Sequence, residues 1–332
     1  MGVDPERKAG KMEPVSHGRQ SSMGRKTLTA KLHPAGSRFL AWLITRQSKK
    51  KLITETTPKE TLNCVNEDIR HTDDPMNVSS ESRNAARGKK CGLLTPKTVL
   101  TIGAWNVRTM YEMRRYNISI LGVSECRWLN NGSITTDTGE TILYSGRTDN
   151  KHYEGVALVL SKEAKRALLE WQPVDERLIL ARFYSKFSKL TVIQCYAQTN
   201  EASIEDKNKF YDKLQSLVSK VPAHDLCLVI SDLNAKIWAD NSCKERIMGR
   251  HGCGKCNENG GLLVDLCGLN DLVIGGSLFP HKDIHKLTWN SPNGKDQNQI
   301  HHIIVNGRWR KSLIDVCVKM GAYCGSDHHL LL

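Results

Sequence analysis

The chain has 332 residues, 39% hydrophobic and 25% charged, with 48 Lys and Arg against 35 Asp and Glu for a formal net charge of +13. That length suggests one large domain with extra material, or two domains, and it suffices to bury a substantial core. No apolar run approaches the ~20 residues that a bilayer requires, and the apolar stretch 39–44 is too short and too far from the start for a signal peptide; a nuclear or cytoplasmic protein without membrane association is expected.

The charge is unevenly placed. Residues 1–98 hold 19 Lys and Arg against 10 Asp and Glu. Residues 1–97 lack sustained periodicity and read as a basic, mostly disordered leader with a short helix near 38–46. A basic chain is compatible with a polyphosphate partner such as nucleic acid. The 11 cysteines are odd in number, and those in apolar runs, Cys195 and Cys227 among them, read as reduced and buried. Cys253 and Cys256 have zinc-like spacing but lack a second pair downstream.

From Val99 onward the texture changes to strands, expected at 99–105, 117–124, 141–145, 155–160, 178–184 and 190–196 from their Val, Ile, Leu and Tyr content. Ser203 opens a helix with a capping-box-like start, and Phe210, Leu214, Leu217, Val218 and Val221 give it one apolar stripe before Pro222 ends it. A buried strand follows at 226–230, then a helix at 258–267 and strands at 271–275, 300–305 and 314–318. Strands outnumber helices and alternate with them, which places residues 98–332 in an α/β or α+β layered class.

The candidate chemistry lies where apolar strands stop, at Asn106, Glu125, Tyr196, Asp232 with Asn234, and Asp327 with His328. Strand ends deliver side chains to one rim of a sheet. Hard oxygen donors with few His suit Mg²⁺, with Mn²⁺ as the alternative. A His can act as general base on water, and Asn and Tyr can hydrogen-bond phosphate oxygens.

The ordered stretches around Asn106, Glu125-Cys-Arg-Trp128, Cys195-Tyr196-Ala-Gln-Thr-Asn200, Asp232-Leu-Asn234, Thr288-Trp289 and Gly325-Ser-Asp-His328 resemble the motifs of the endonuclease/exonuclease/phosphatase superfamily. The runs 248–260 and 278–289 bring the resemblance to the apurinic-type endonuclease domain of RTE-class non-LTR retrotransposons and to craniofacial development protein 2-like proteins. The resemblance implies a four-layer α/β sandwich, two packed mixed sheets flanked by helices, that cleaves DNA phosphodiesters as a monomer with Mg²⁺. It implies Glu125 as main metal carboxylate with Asn106 beside it and Asp327 helping. It further implies Asp232 as activator of the water, Asn234 and Tyr196 as phosphate contacts, and His328 as base. Thr199, Asn200, Thr288 and Trp289 would face the substrate.

Three departures from that pattern stand out. His301 occupies the position where the family carries the Asp that orients the base. The segment 107–116 is short for the helix that joins the first two strands. The chain stops at Leu332, four residues after His328, so an incomplete last strand and a frayed end under Asp327 and His328 are expected. A nuclease with weakened or lost cleavage and a catalytically inactive nucleic-acid-binding or scaffold protein both remain open on these grounds.

Overall fold

The computed structural model describes residues 92–93, 99–106, 111–322 and 326–332. Apart from residues 92 and 93, the expected leader and its helix near 38–46 lie outside the described residues. Leu93 is buried against the core and donates its backbone N–H to Tyr184 O at 3.0 Å.

Two sheets carry the fold. The first has seven strands in the order β14-β15-β1-β2-β5-β4-β3. They are β1 (Ile102–Trp105), β2 (Ile120–Ser124), β3 (Asn131–Thr135), β4 (Thr141–Ser145), β5 (Val156–Leu160), β14 (Val318–Lys319) and β15 (Leu330–Leu331). The second has six in the order β10-β13-β9-β8-β7-β6. They are β6 (Leu168–Asp175), β7 (Leu178–Phe183), β8 (Leu190–Tyr196), β9 (Leu226–Asp232), β10 (Leu272–Ile274) and β13 (His301–Asn306). A hairpin of β11 (Trp289–Asn290) and β12 (Gln297–Asn298) stands apart.

Helices α1 (Tyr111–Arg115), α3 (Ile204–Lys220) and α4 (Glu258–Leu269) cover the outer faces, whereas the short α2 (Lys162–Ala167) packs Ala164 and Ala167 into the cluster between the sheets. Ser203 caps α3 by accepting from Asp206 N at 3.2 Å, and Asn257 caps α4 by accepting from Gly260 N at 2.9 Å, each satisfying an amide that the first turn leaves free. Phe210, Leu214 and Leu263 of these helices pack on Ile193 and Val229 of the second sheet. Met113 belongs to a smaller cluster with Trp105, Leu121 and Val123 on the outside of the first.

The period-2 alternation of strands explains the inner core. Ile102 and Ala104, Ile120, Leu190 and Val192, Leu228 and Ile230, and Ile303 and Val305 all belong to the cluster between the sheets. The sheets pack tightly at Gly122, where an added Cβ would meet Gln194 Oε1 at 1.9 Å and Ile230 Cδ1 at 2.7 Å.

The structure corrects several expectations. The second strand begins at Ile120, not at 117, so the parallel β1–β2 crossover has more chain than expected and carries the five-residue α1. Residues 107–110 of it lie outside the described residues. The strand expected at 314–318 is reduced to β14, and α2, β3, β6, β11, β12 and β15 were not anticipated. The end after His328 is not frayed: Leu331 pairs with Ala104 on one side and Val318 on the other. Both Leu330 and Leu331 are buried.

Candidate functional site

The alternation that builds the inner core continues past its apolar part. The next inward positions are Asn106 after Ala104, Ser124 after Gly122, Gln194 and Tyr196 after Val192, Asp232 after Ile230, and His301 before Ile303. Register aligns them: Tyr196 is opposite Asp232 and Asp232 is opposite His301. One end of the sandwich is therefore lined with polar groups by the same periodicity that fills its middle with Ile, Leu and Val. Below the rim, Gln194 Nε2 donates to Ser124 Oγ at 2.9 Å across the sheets.

One side of the rim is built on Glu125. Its backbone is left-handed, φ 55°, as is that of Arg127, φ 57°, a conformation of the kind that clusters at functional sites. Tyr196 OH donates to Glu125 Oε1 at 3.1 Å, and Arg127 Nη2 donates to Oε2 at 3.1 Å. Arg177 lies over the Tyr196 ring at 5.0 Å from its centre and donates to Tyr196 O at 3.1 Å. Burial, then the Glu125 and Asp232 carboxylates, push the Tyr196 phenol well above its ordinary value, so Tyr196 remains an O–H donor.

The other side is a connected set of Asp232, Asn106, His301 and His328. Asn106 Nδ2 donates to Asp232 Oδ2 at 2.9 Å, bridging the sheets, and lies 3.4 Å from His328 Nε2. His301 Nε2 is 2.8 Å from His328 Nδ1 and 3.5 Å from Asp232 Oδ2. The two rings are nearly coplanar, 14° apart with centres at 4.9 Å. With a 2.8 Å contact between nitrogens, that places them edge to edge. Burial alone would raise the Asp232 carboxyl, but the His301 imidazole, then His328 and the Asn106 amide, outweigh it and hold the carboxyl at about 2. Burial and His301 keep His328 below the ordinary imidazole value, against the pull of Asp232, Asp327 and Glu125.

A bond between two imidazole nitrogens needs one N–H and one lone pair. If His328 supplied the N–H from Nδ1, His301 Nε2 would turn a lone pair toward the Asp232 carboxylate. His301 Nδ1, which has no partner among the described residues, would then carry a buried, unpaired N–H, at a cost of about 1–3 kcal/mol. With the proton on His301 Nε2, one N–H faces both His328 Nδ1 and Asp232 Oδ2, and His328 keeps its own proton on Nε2. The 3.4 Å contact to Asn106 is too long to reverse that preference.

The remaining candidates hold the periphery. Asn234, φ 49°, donates its N–H to Asp232 Oδ1 at 3.3 Å and its amide to Ala197 O at 3.1 Å. The exposed Asp327 accepts the Trp289 indole N–H at 3.2 Å, and no described contact joins it to Glu125. Thr288 is buried and accepts from Ile300 N at 2.9 Å and His301 N at 3.1 Å, so it supports the β13 start from below. Thr199 and Asn200 are exposed. Buried Lys207 holds their loop, donating to Asn200 O and Glu258 Oε2 at 2.5 Å each.

Sequence reasoning missed several supports. Ser326 Oγ donates to Asn106 O at 2.9 Å and accepts from His328 N at 3.1 Å. Trp105 Nε1 donates to His328 O at 3.0 Å. Arg177 and Lys207 carried no motif signal; Ser326, within the Gly-Ser-Asp-His run, and Trp105, directly before Asn106, each stood next to a named residue. The Cys253 and Cys256 thiols are free, and burial raises both.

As to a divalent cation, Glu125 presents a half-exposed carboxylate at the rim, while Asn106 Oδ1 is buried with no partner among the described residues. A carboxylate and an orphaned amide oxygen, both hard oxygen donors, are ligand types that fit a hard cation.

No family model matches the chain. Curated relatives include craniofacial development protein 2 of Bos taurus, 38% identical over 254 residues, 74% of this chain and 42% of that protein. The same protein of Tragulus javanicus is 39% identical over 240 residues, 70% of this chain and 41% of that protein. The chain thus spans about two fifths of the length of these relatives. Among solved structures, the Xenopus laevis APE2 catalytic domain superposes with a TM-score of 0.54 at 14% identity, over 69% of this chain and 90% of that one. The chain is a homologue of craniofacial development protein 2, and its fold is the endonuclease/exonuclease/phosphatase fold, two mixed sheets flanked by helices.

Proposed function

We propose that residues 98–332 form a nucleic-acid phosphodiesterase domain descended from a non-LTR retrotransposon endonuclease, in which the cleavage step is weakened. One observation carries the proposal: the 2.8 Å contact of His301 Nε2 with His328 Nδ1, at a rim that otherwise assembles Asn106, Glu125, Tyr196, Asp232 and Asn234. Mg²⁺ or Mn²⁺, held by Glu125 and Asn106 with Asp327 nearby, would polarise a phosphoryl oxygen and steady the leaving group. Tyr196 OH and the Asn234 amide hydrogen-bond the phosphate oxygens. Asp232, ionised and held by Asn106 and Asn234, orients the attacking water. His328 would serve as base only with a lone pair on Nε2, and His301 favours the proton there, so His328 acts chiefly as a phosphate donor. Residues 1–97 add phosphate contacts as a basic arm.

Supporting the reading are the fold, the strand-end residues and the runs 248–260 and 278–289. Cleavage of an abasic or nicked DNA duplex with Mg²⁺ tests it. The wild type is expected to turn over slowly and His301→Asp much faster, with turnover vanishing when Glu125→Ala is added. Equal rates for wild type and His301→Asp would refute the weakened-base account. Salt-sensitive DNA binding without cleavage in any variant would instead favour an inactive binding protein, and its salt slope should fall when residues 1–97 are removed.

A further inference from the structure

We propose that Asp232, His301 and His328 form a binding site for a borderline divalent transition metal, Zn²⁺ in type, separate from the hard-cation donors at Glu125 and Asn106. The site stands whether or not the domain cleaves phosphodiesters. Its donors are Asp232 Oδ2, His301 Nε2 and His328 Nδ1, and one ligand atom from each residue falls within 4.8 Å of the others.

The donor chemistry sets the metal. Mg²⁺ and Ca²⁺ take oxygen ligands, whereas two imidazoles and one carboxylate are a ligand set that Zn²⁺ accepts, leaving a fourth position for water. An Asp at position 301 would make the cluster mostly oxygen; the His that this chain carries makes it a two-nitrogen, one-oxygen set. Bonds of Zn²⁺ near 2.0–2.1 Å in a tetrahedron place ligand atoms about 3.3 Å apart. The Asp232–His301 separation of 3.5 Å already matches. The His301–His328 separation of 2.8 Å is that of a shared proton and must open by about 0.5 Å.

The backbone divides these roles sensibly. Asp232 and His301 face each other across β9 and β13 in the middle of the second sheet, so their donors are fixed in advance. His328 sits on a single bridge to Trp289, where its ring can turn without disturbing a ladder. The metal takes the place of the proton shared between the two rings, and no net charge is needed on either imidazole. Both stay neutral: His328 keeps its proton on Nε2, whereas His301 moves its proton from Nε2 to Nδ1, the nitrogen without a partner among the described residues, at the cost of a buried, unpaired N–H that the metal bonds must exceed. His328 is thus already in the tautomer that ligation requires.

Titration of the full-length protein with Co²⁺, a spectroscopic stand-in for Zn²⁺, tests the site directly. One equivalent should give a visible d–d band of the intensity of four- or five-coordinate Co²⁺, displaced by Zn²⁺, without a thiolate charge-transfer band. His301→Asn and His328→Asn should each weaken binding about 100-fold or more, with circular dichroism unchanged. His301→Asp should bind Co²⁺ less tightly and Mg²⁺ or Mn²⁺ more tightly than the wild type. Should His301→Asn fail to fold, His328→Asn decides, because that residue lies outside the sheet ladders. A band that survives both His variants overturns the proposal. So does a band lost in Cys253→Ser or in His281→Asn, the latter belonging to the other described His, Asp and Cys cluster with Asp315 and Cys317. Absence of any band at stoichiometric Co²⁺ also overturns it.

Discussion

Around Glu125, each oxygen of the carboxylate meets one donor: the Tyr196 hydroxyl at 3.1 Å and the Arg127 guanidinium at 3.1 Å. Around His328, a ring whose neighbour can be either donor or acceptor meets a second ring with the same ambiguity at 2.8 Å. Both sides are delivered by strand ends of the same sandwich, and both pair polar groups across the two sheets. The difference lies in proton inventory. An acceptor facing fixed donors has one arrangement, whereas two imidazoles have several, and the nearby Asp232 chooses among them. A single residue, His301, thus sets which nitrogen of His328 carries the proton.

The largest expected effect comes from removing that ambiguity. His301→Asp places an acceptor beside His328 Nδ1, fixes the proton there and frees Nε2. By analogy with the loss of an orienting Asp in a Ser-His-Asp triad, turnover should rise about 10³-fold or more, read as kcat in Mg²⁺-dependent cleavage. If the rise appears only in KM, the coupling of the two rings is not what limits the reaction. On the other side of the rim, Glu125→Gln in the His301→Asp background should lower kcat by about 10²-fold and raise the Mg²⁺ concentration needed for half-maximal activity. An unchanged Mg²⁺ dependence would remove Glu125 from the cation site.

The floor shared by both sides offers a third test. Gly122→Ala would drive a methyl into Gln194 and Ile230, which an added Cβ meets at 1.9 and 2.7 Å. Overpacking of this kind costs about 1–3 kcal/mol, seen as a lower Tm and as reduced activity through the Ser124–Gln194 support. A Tm equal to wild type would mean that the two sheets separate there at little cost.

The smallest effect is a control away from the rim. Burial alone would raise the Glu140 carboxyl, but Arg114 and the hydroxyls of Thr138 and Thr136 hold it at about 2, below its ordinary 4.5. The folded protein therefore binds this proton less readily than the unfolded chain. Stability from Glu140 is full above pH 4.5 and is lost as the pH falls toward 2. Because Arg114 is largely exposed, solvent screening reduces this to about 1 kcal/mol or less. Glu140→Gln should flatten the acid limb of the Tm against pH curve while leaving DNA cleavage at neutral pH unchanged.

Much of this was legible in the sequence. Val, Ile, Leu and Tyr content located β4 and β8 to the residue, and Ser203 and Pro222 bracketed α3. The sites where apolar strands stop named Asn106, Glu125, Tyr196, Asp232 and His328. Weakly apolar elements escaped: β3, Asn131–Thr135, has an exposed face throughout, so no buried run marks it. β15 is only two residues long, and its strand character comes from being clasped between β1 and β14.

What the sequence determined by itself is the list of chemical groups and the end of the sandwich that they share, because strand periodicity is a local property of the chain. It also exposed His301 as the odd residue among them. Only the tertiary structure decided their partners. Asn106 meets Asp232 across 126 positions of sequence and His328 across 222; His301 meets Asp232 because β13 and β9 run in register, and His328 reaches both from its bridge to Trp289. Hydrogen bonds of this kind depend on cross-strand register and sheet stacking to within a few tenths of an ångström, and no local pattern encodes that. The same geometry places two imidazoles and a carboxylate around one point, where the sequence alone showed a missing acid.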